Sequence, residues 1–183
     1  MMYGSVSSNG HSISPALFDA ASNPKKGASE LVLFDFDGTI TTKDTLIEFV
    51  RFYRGQRKYI ESMIMLSPIL GLYAFKIIPN WKAKQYFLAR HFRGEHIDEF
   101  NTRCREFSTK ILPSLIRPKA LATINSYREK NVTMAVVSAS AENWVKPFCD
   151  QYGLLCLATK LEVKNKHITG KILGKNCYGD EKV

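Results

Sequence analysis

An α/β fold is predicted by three observations. Residues 31–34 and 132–137 are short apolar runs, too brief for helices, and both end in polar side chains suited to chemistry. A long block of helical pattern lies between them, and strand and helix patterns alternate after them. Parallel strands need crossover connections, usually helical, so this order favours a parallel sheet. With 183 residues, 45% hydrophobic and 23% charged, the chain is long enough for one substantial domain or a small core with an insertion.

Residues 1–29 are rich in Ser, Asn, Gly and Ala, carry Pro15 and Pro24, and read as a disordered or artefactual extension. Order is expected from about Glu30. The run Leu31-Val32-Leu33-Phe34 reads as a buried strand that leads into Asp35 and Asp37. Strand residues at i and i+2 share a side, so both carboxylates would face one way if the strand stayed regular. Open α/β sheets place ligands at that carboxyl end. Gly38 lets the backbone turn sharply or approach a ligand. Two adjoining carboxylates repel unless one is protonated or a cation lies between them. Mg²⁺, a hard ion that keeps several waters, suits such a pair. An ordinary strand followed by an Asp-Gly turn is the bland alternative.

Asp44 precedes an amphipathic helical start at residues 45–50 and makes a good N-cap. Helices are predicted over 58–73, 81–92 and 97–111, with Pro79-Asn80, Gly94 and Pro113 as separators. A further helix over 118–130 has Pro118 near its first turn. Then come the strand at 132–137, a helix over 142–152 and a third short strand at 154–158. Segments 160–163 and 167–172 alternate around Lys164-Asn165-Lys166, the pattern of a hairpin.

The formal charge is +9, and Arg51, Arg54, Arg57, Lys58, Lys82, Lys84, Arg90, Arg93, Arg103 and Arg105 crowd one half of the chain. A basic surface draws nucleic acid, anionic lipid or phosphorylated small molecules, while a solvated helix face explains it equally well. No helix-turn-helix, zinc-finger or RNA-recognition signature is present, so no nucleic-acid partner is expected. Cys104, Cys149, Cys156 and Cys177 lack metal-ligand spacing and read as free thiols, and the four histidines receive no role. The N-terminus lacks a basic segment followed by an apolar one, so no signal peptide is expected and cytoplasmic residence is.

The string Phe34-Asp35-Phe36-Asp37-Gly38-Thr39 resembles the first motif of the haloacid dehalogenase superfamily, whose members are mostly phosphohydrolases. The resemblance implies that Asp35 is a nucleophile forming an aspartyl-phosphate and that Asp37 is the acid and base. It also implies Mg²⁺ held by the Asp35 side chain and the Asp37 main-chain carbonyl. A carboxylate nucleophile divides one slow displacement into two easier ones. In that family the helices at 44–113 form an α-helical cap inserted into the core, here 30–43 and 114–183. The core is then a Rossmann-like, doubly wound parallel sheet with a small β-hairpin.

Ser138-Ala139-Ser140 combines hydroxyls at a strand end with a helix start, which can cradle phosphate, although Ser also caps helices. Its place is similar to the family's second motif. That resemblance assigns Ser138 and the Ala139 N–H to phosphate, with Ser140 as the helix cap and Trp144 and Pro147 in packing. An acidic residue at the offset of Asp44 faces substrate in the phosphoserine phosphatase-like branch, a role compatible with capping. The third motif is a charge-balancing lysine. Lys175 and Lys182 are candidates, and Lys182 fits better because Gly179-Asp180 looks like a helix start. The fourth motif, an acidic loop completing the metal site, is expected after Val183; its absence suggests a fragment that hydrolyses phosphate weakly or not at all.

The helical cap, the Ser motif and Cys177-Tyr178-Gly179-Asp180-Glu181-Lys182-Val183 together resemble the subfamily that includes phosphoserine phosphatase, and also phosphatidylglycerophosphatases of the same type. Within the cap, residues 63–78 are apolar nearly all round. A membrane span needs about 20 such residues. Pro68 and Gly71 interrupt this one, and Lys76 at a bilayer centre would cost roughly 2.5–3.5 kcal/mol. A buried cap helix is one reading. An interfacial segment at the inner face of the membrane is the other, with Arg54, Arg57, Lys58, Lys82 and Lys84 suited to anionic headgroups. The expected function is a Mg²⁺-dependent phosphomonoesterase acting on a small phosphorylated metabolite or a phospholipid headgroup. The alternative is a non-catalytic binding module that uses the basic cap for an anionic partner. Oligomeric state is not predicted.

Overall fold

The computed structural model describes residues 31–174. The extension at 1–29, Glu30, and the candidate lysines Lys175 and Lys182 together with Cys177 lie outside the described residues. Strand β1 (Leu31–Asp35) runs into a wide turn at Phe36–Ile40. Helices α1 (Thr45–Arg54), α2 (Gln56–Ala74), α3 (Asn80–Phe92), α4 (Ile97–Lys110), the short α5 (Leu112–Leu115) and α6 (Pro118–Glu129) precede β2 (Thr133–Ala141). Helix α7 (Glu142–Tyr152), β3 (Leu155–Lys164) and β4 (His167–Leu173) follow. The helices predicted over 58–73, 81–92, 97–111, 118–130 and 142–152 form within two residues of those limits, whereas α5 was not anticipated.

The fold is mixed α/β, built on a sheet of order β1-β2-β3-β4. β1, β2 and β3 are parallel, and Asp35 lies opposite Val137, which in turn lies opposite Leu157. The carboxyl ends of these strands therefore share one end of the sheet. β4 pairs antiparallel with β3.

Two expectations need correction. The third strand and the first arm of the hairpin are one continuous strand, β3, whose first half pairs with β2 and whose second half pairs with β4. Thr159 joins the halves, so no break separates them. The β3–β4 turn does form, with Asn165 and Lys166 both at positive φ, as a two-residue hairpin turn requires. The first strand is also less buried than its apolar run suggests, with Leu31 and Leu33 exposed. β1 is the edge of the described sheet, so these side chains lack a covering neighbour there.

Aromatic packing joins the helical block to the core. Phe49 of α1 is fully buried, stacks on Trp144 of α7 at 4.7 Å, and meets Phe92, Phe100 and Phe107 edge-on or tilted at 5.3–5.5 Å. One ring thus ties α1 to α3, α4 and α7. Helix α2 stays helical through Pro68, which has no N–H to offer the Ile64 carbonyl. The Ser67 hydroxyl donates to that carbonyl at 2.8 Å instead. Strand β4 is covered on its outer edge by residues 94–97, through Gly94 N–H to Ile168, Ile168 N–H to Glu95 and Ile97 N–H to Lys166. Cys104, Cys149 and Cys156 are free thiols, as their spacing predicts.

Candidate active site

The carboxylates come together by a different route from strand alternation. β1 ends at Asp35, and the chain then closes a single wide turn in which Asp37 (φ −74°, ψ 122°) and Gly38 (φ 79°) are non-helical. A Cβ at Gly38 would meet nothing within 4 Å, so glycine is needed for its positive φ and not for space. Arg117 braces this turn by donating to the carbonyls of Thr41 at 3.2 Å and Gly38 at 3.3 Å. Asp35 and Asp37 both line one cavity of about 390 Å³. Thr39 Oγ1 donates to Asp35 Oδ2 at 3.4 Å.

Asp37 is held by four donors. Its Oδ1 accepts the Thr45 N–H at 2.8 Å and the Thr45 hydroxyl at 2.6 Å. Its Oδ2 accepts the hydroxyls of Ser140 at 2.7 Å and Ser138 at 3.2 Å. Thr45 opens α1, so one of the unpaired N–H groups of a helix start is aimed at this carboxylate. Trp144 Nε1 donates to Thr45 Oγ1 at 3.2 Å. Each hydroxyl has one proton, and Thr45 and Ser140 both direct theirs to Asp37. Their mutual 3.1 Å contact is therefore proximity between acceptors.

Ser138 and Ser140 sit where the β2–β3 register slips, between Ser138 and Ala141. Ser138 is fully buried; its hydroxyl donates to Asp37 and accepts the Ser140 N–H at 2.9 Å. Ala139 and Ser140 line the cavity. The helix-cap role expected of Ser140 is not observed: Ala141 is the N-cap of α7, no side chain caps it, and the Ser140 hydroxyl is engaged by Asp37.

The helical block supplies the other walls. Asp44 caps α1, accepting the Ile47 N–H at 3.2 Å, and also lines the cavity, so the two predicted positions coincide. The surrounding wall desolvates its carboxyl and the Asp37 charge adds to that, raising its pKa above the usual range, against the opposing pull of backbone N–H groups and Lys84. Lys84 of α3 reaches across and donates to the Ala139 carbonyl. Leu46, Ile47, Tyr59, Met63, Leu70 and Phe87 make the remaining surface largely apolar.

Asp35, Asp37, Asp44 and Ala139 are thus assembled around one cavity, with Ser138 just behind it. Thr45, Ser140, Lys84 and Arg117 complete the arrangement and were not anticipated in these places. Thr45 had a signal, since it directly follows a predicted N-cap and so belongs to a helix start rich in free N–H groups. Lys84 and Arg117 had none, because their partners lie 55 and 76–79 residues away. Among the described residues, no group of three or more His, Cys, Asp or Glu side chains converges as a metal cage. The hard oxygen donors on the cavity wall are the Asp35 and Asp44 carboxylates, since the Asp37 side chain already accepts four hydrogen bonds. Such a sparse, hard donor set fits an ion that keeps most of its shell as water and phosphate oxygens.

A family model for haloacid dehalogenase-like hydrolases matches residues 32–183. Protein CicA of Caulobacter vibrioides is 34% identical over 155 residues, covering 84% of this chain and 69% of the relative. A structure of a protein of unknown function from Bordetella pertussis Tohama I aligns with a TM-score of 0.65 at 21% identity, over 82% of this chain and 69% of that one. A substrate-bound phosphoserine phosphatase complex aligns with a TM-score of 0.55 at 19% identity, over 82% of this chain and 64% of that one. A phospho-aspartyl intermediate analogue of phosphoserine phosphatase gives 0.53 at 21%, over 80% and 64%. At these identities the structural likenesses speak to the fold.

Proposed function

The chain belongs to the haloacid dehalogenase-like hydrolase family, and from that premise we propose that it is a phosphomonoesterase working through an aspartyl-phosphate on Asp35. The observation that carries this reading is the placement of Asp37, locked by four donors beside Asp35 on one cavity wall. Asp35 attacks phosphorus, the P–O ester bond breaks, and the departing oxygen takes a proton from Asp37. Water then gives a proton to Asp37, attacks the aspartyl-phosphate, releases inorganic phosphate and restores Asp35.

The hydrogen bonds around Asp37 support an acid and base role. Oδ1 faces the Thr45 N–H, which can only donate. Oδ2 faces two hydroxyls, which rotate to accept as readily as they donate. Ser138 and Ser140 can therefore stay hydrogen-bonded to Oδ2 whether Asp37 is giving or taking a proton.

Mg²⁺ held by the Asp35 carboxylate and the Asp37 carbonyl would neutralise phosphate charge, the contribution that positioning alone does not supply. Ser138 and the Ala139 N–H are the proposed phosphate contacts, and the hydroxyls of Ser138 and Ser140 also position Asp37. Lys182, which lies outside the described residues, is proposed for the charge-balancing role that the resemblance implies, and Lys84 adds a cation from the helical block. The apolar walls favour a substrate whose organic part is not highly charged. A small phosphorylated metabolite of low organic charge and a lipid phosphate headgroup both fit this class, whereas phosphoserine, whose organic part carries an ammonium and a carboxylate, fits it less well.

Two measurements test the reading. Phosphate release from p-nitrophenyl phosphate should require Mg²⁺ and should vanish in Asp35→Asn. Beryllium trifluoride, a mimic of the phosphoryl group, should give a bound ¹⁹F signal that the same substitution removes. A signal unchanged in Asp35→Asn would return the chain to the non-catalytic binding class.

A further inference from the structure

The outer side of the α2–α3 hairpin is apolar where a solvated surface would be charged. Phe75 is 81% exposed, Ile64 68%, Ile77 66% and Met65 65%, with Ile60, Leu72, Trp81 and Tyr86 also exposed. These residues occupy successive turns of α2, the connection to α3 and the outer face of α3. Arg90 of α3 approaches Met65 Sδ at 3.2 Å, so the two helices present this surface side by side. Contiguous exposed apolar surface of this kind marks an interaction site.

The charges around it indicate the partner. Residues 55–90 contain six Lys or Arg and one acidic residue, Glu61, which pairs with Arg57 at 3.2 Å. Lys58, Lys76 and Lys82 are exposed beside the apolar residues. A second copy of the chain is a poor occupant, because a two-fold interface sets the same patch, and hence the same cations, against itself. Tyr73, Trp81 and Tyr86 are aromatics with a polar atom, the type that settles at the level of lipid headgroups. No helix among the described residues is long and apolar enough to cross a membrane. A surface that lies in the headgroup region needs no such length.

We propose that this face docks on an anionic lipid bilayer, with Phe75 and Ile77 inserted and Lys58, Lys76 and Lys82 at the phosphate level. Tyr73 connects docking to the site, since it is 42% exposed on this face and also lines the cavity that holds Asp35 and Asp37. Docking through this face would therefore set one residue of the cavity wall at the membrane surface. Docking itself depends on no assumption about the reaction.

Co-sedimentation of the full chain with phosphatidylcholine vesicles, with and without phosphatidylglycerol, provides the test. Anionic vesicles should raise partitioning about tenfold or more, and added salt should reverse the gain. Emission from the half-exposed Trp81 should shift to the blue on binding, while buried Trp144 serves as an internal reference. Phe75→Ser with Ile77→Ser should abolish both effects. Both positions are exposed and outside the cavity lining, so the fold and beryllium trifluoride capture at Asp35 should persist. Equal partitioning to neutral vesicles, binding unaffected by the double variant, or a dimer in sedimentation velocity that the double variant dissolves would each overturn the proposal. Capture at Asp35 is scored separately, so failure of the unsubstituted chain to dock while it still captures beryllium trifluoride condemns the docking surface alone.

Discussion

Thr45 gives Asp37 two hydrogen bonds at once, from its backbone N–H at 2.8 Å and from its hydroxyl at 2.6 Å. The first residue of α1 therefore fixes the carboxylate that follows β1. Helix start and strand end meet across eight residues, and Trp144 Nε1 anchors the same hydroxyl from α7 at 3.2 Å. The helical block is thereby keyed to the turn after β1 through one residue.

Thr45→Val removes that hydroxyl at nearly constant volume. Asp37 keeps the backbone donor but loses the other, and the buried Trp144 N–H loses its acceptor. The cost should be about 1–3 kcal/mol in urea unfolding, with a clear fall in phosphate release. Thr45→Ser, which retains the oxygen, should recover most of both. Equal behaviour of Val and Ser variants would show that the hydroxyl has no such function.

Asp44→Asn tests the charge pair in the cavity. The Asp44 carboxyl is raised by desolvation and then by Asp37, so the folded state prefers it protonated. Its contribution to stability is present below the unfolded carboxylate range and lost as pH rises through the raised folded value. Asn keeps the cap, because Asn and Asp cap equally well. The variant's melting temperature should therefore gain on wild type as pH rises through that range, and the two should converge at lower pH. A difference independent of pH would argue against the repulsion between Asp37 and Asp44.

Local pattern was sufficient for most of the fold and for part of the site. The apolar periodicities of α2, α3 and α4 are carried within each segment, which is why those helices were legible with their limits nearly correct. Asp35, Asp37 and Asp44 were legible for the same reason, each standing at the end or start of a local pattern. Register is not local. Nothing in residues 154–163 states that β3 changes partner from β2 to β4 near Thr159 without a break. Ser138 and Ser140 show the same limit, since nothing local states that their hydroxyls meet Asp37, which lies 101 and 103 residues earlier. His91, assigned no role from sequence, proves to be buried between α2 and α3.

His91 should give the fold a pH dependence of its own. Its ring bonds Ser62 Oγ at 3.0 Å and packs on Phe87 at 4.6 Å. Burial first, then the charges of Arg54 and Arg90, lowers its pKa to about 4. Unfolded His titrates near 6.5, so the unfolded state gains its proton first as pH falls. Stability should be unaffected by this group above that value and decline between roughly pH 6.5 and 4, by at most about 3 kcal/mol. His91→Gln should remove that slope in urea unfolding measured from pH 7.5 to 4.5, whatever it does to the plateau. A slope that survives the substitution would assign the effect to other groups.

Gly170 is where the helical block rests on the hairpin. It has φ +85°, and a Cβ placed there would lie 2.3 Å from the Ala89 Cα of α3. The left-handed backbone costs a non-glycine residue about 1–2 kcal/mol. Forcing two packed backbones apart adds roughly 1–3 kcal/mol. Gly170→Ala should therefore lower stability by about 2–5 kcal/mol in denaturant unfolding. The displaced helix is the one that carries Lys84 to the Ala139 carbonyl, so the effect should extend to the cavity. Beryllium trifluoride capture at Asp35 should weaken in Gly170→Ala under conditions where the variant is still folded. Ala89→Gly in the same chain removes the Cβ that would lie at 2.5 Å but leaves the Cα and N contacts. It should recover only a minor part of the loss. Full rescue by Ala89→Gly would mean that side chains, and not the two backbones, set the separation of α3 and β4.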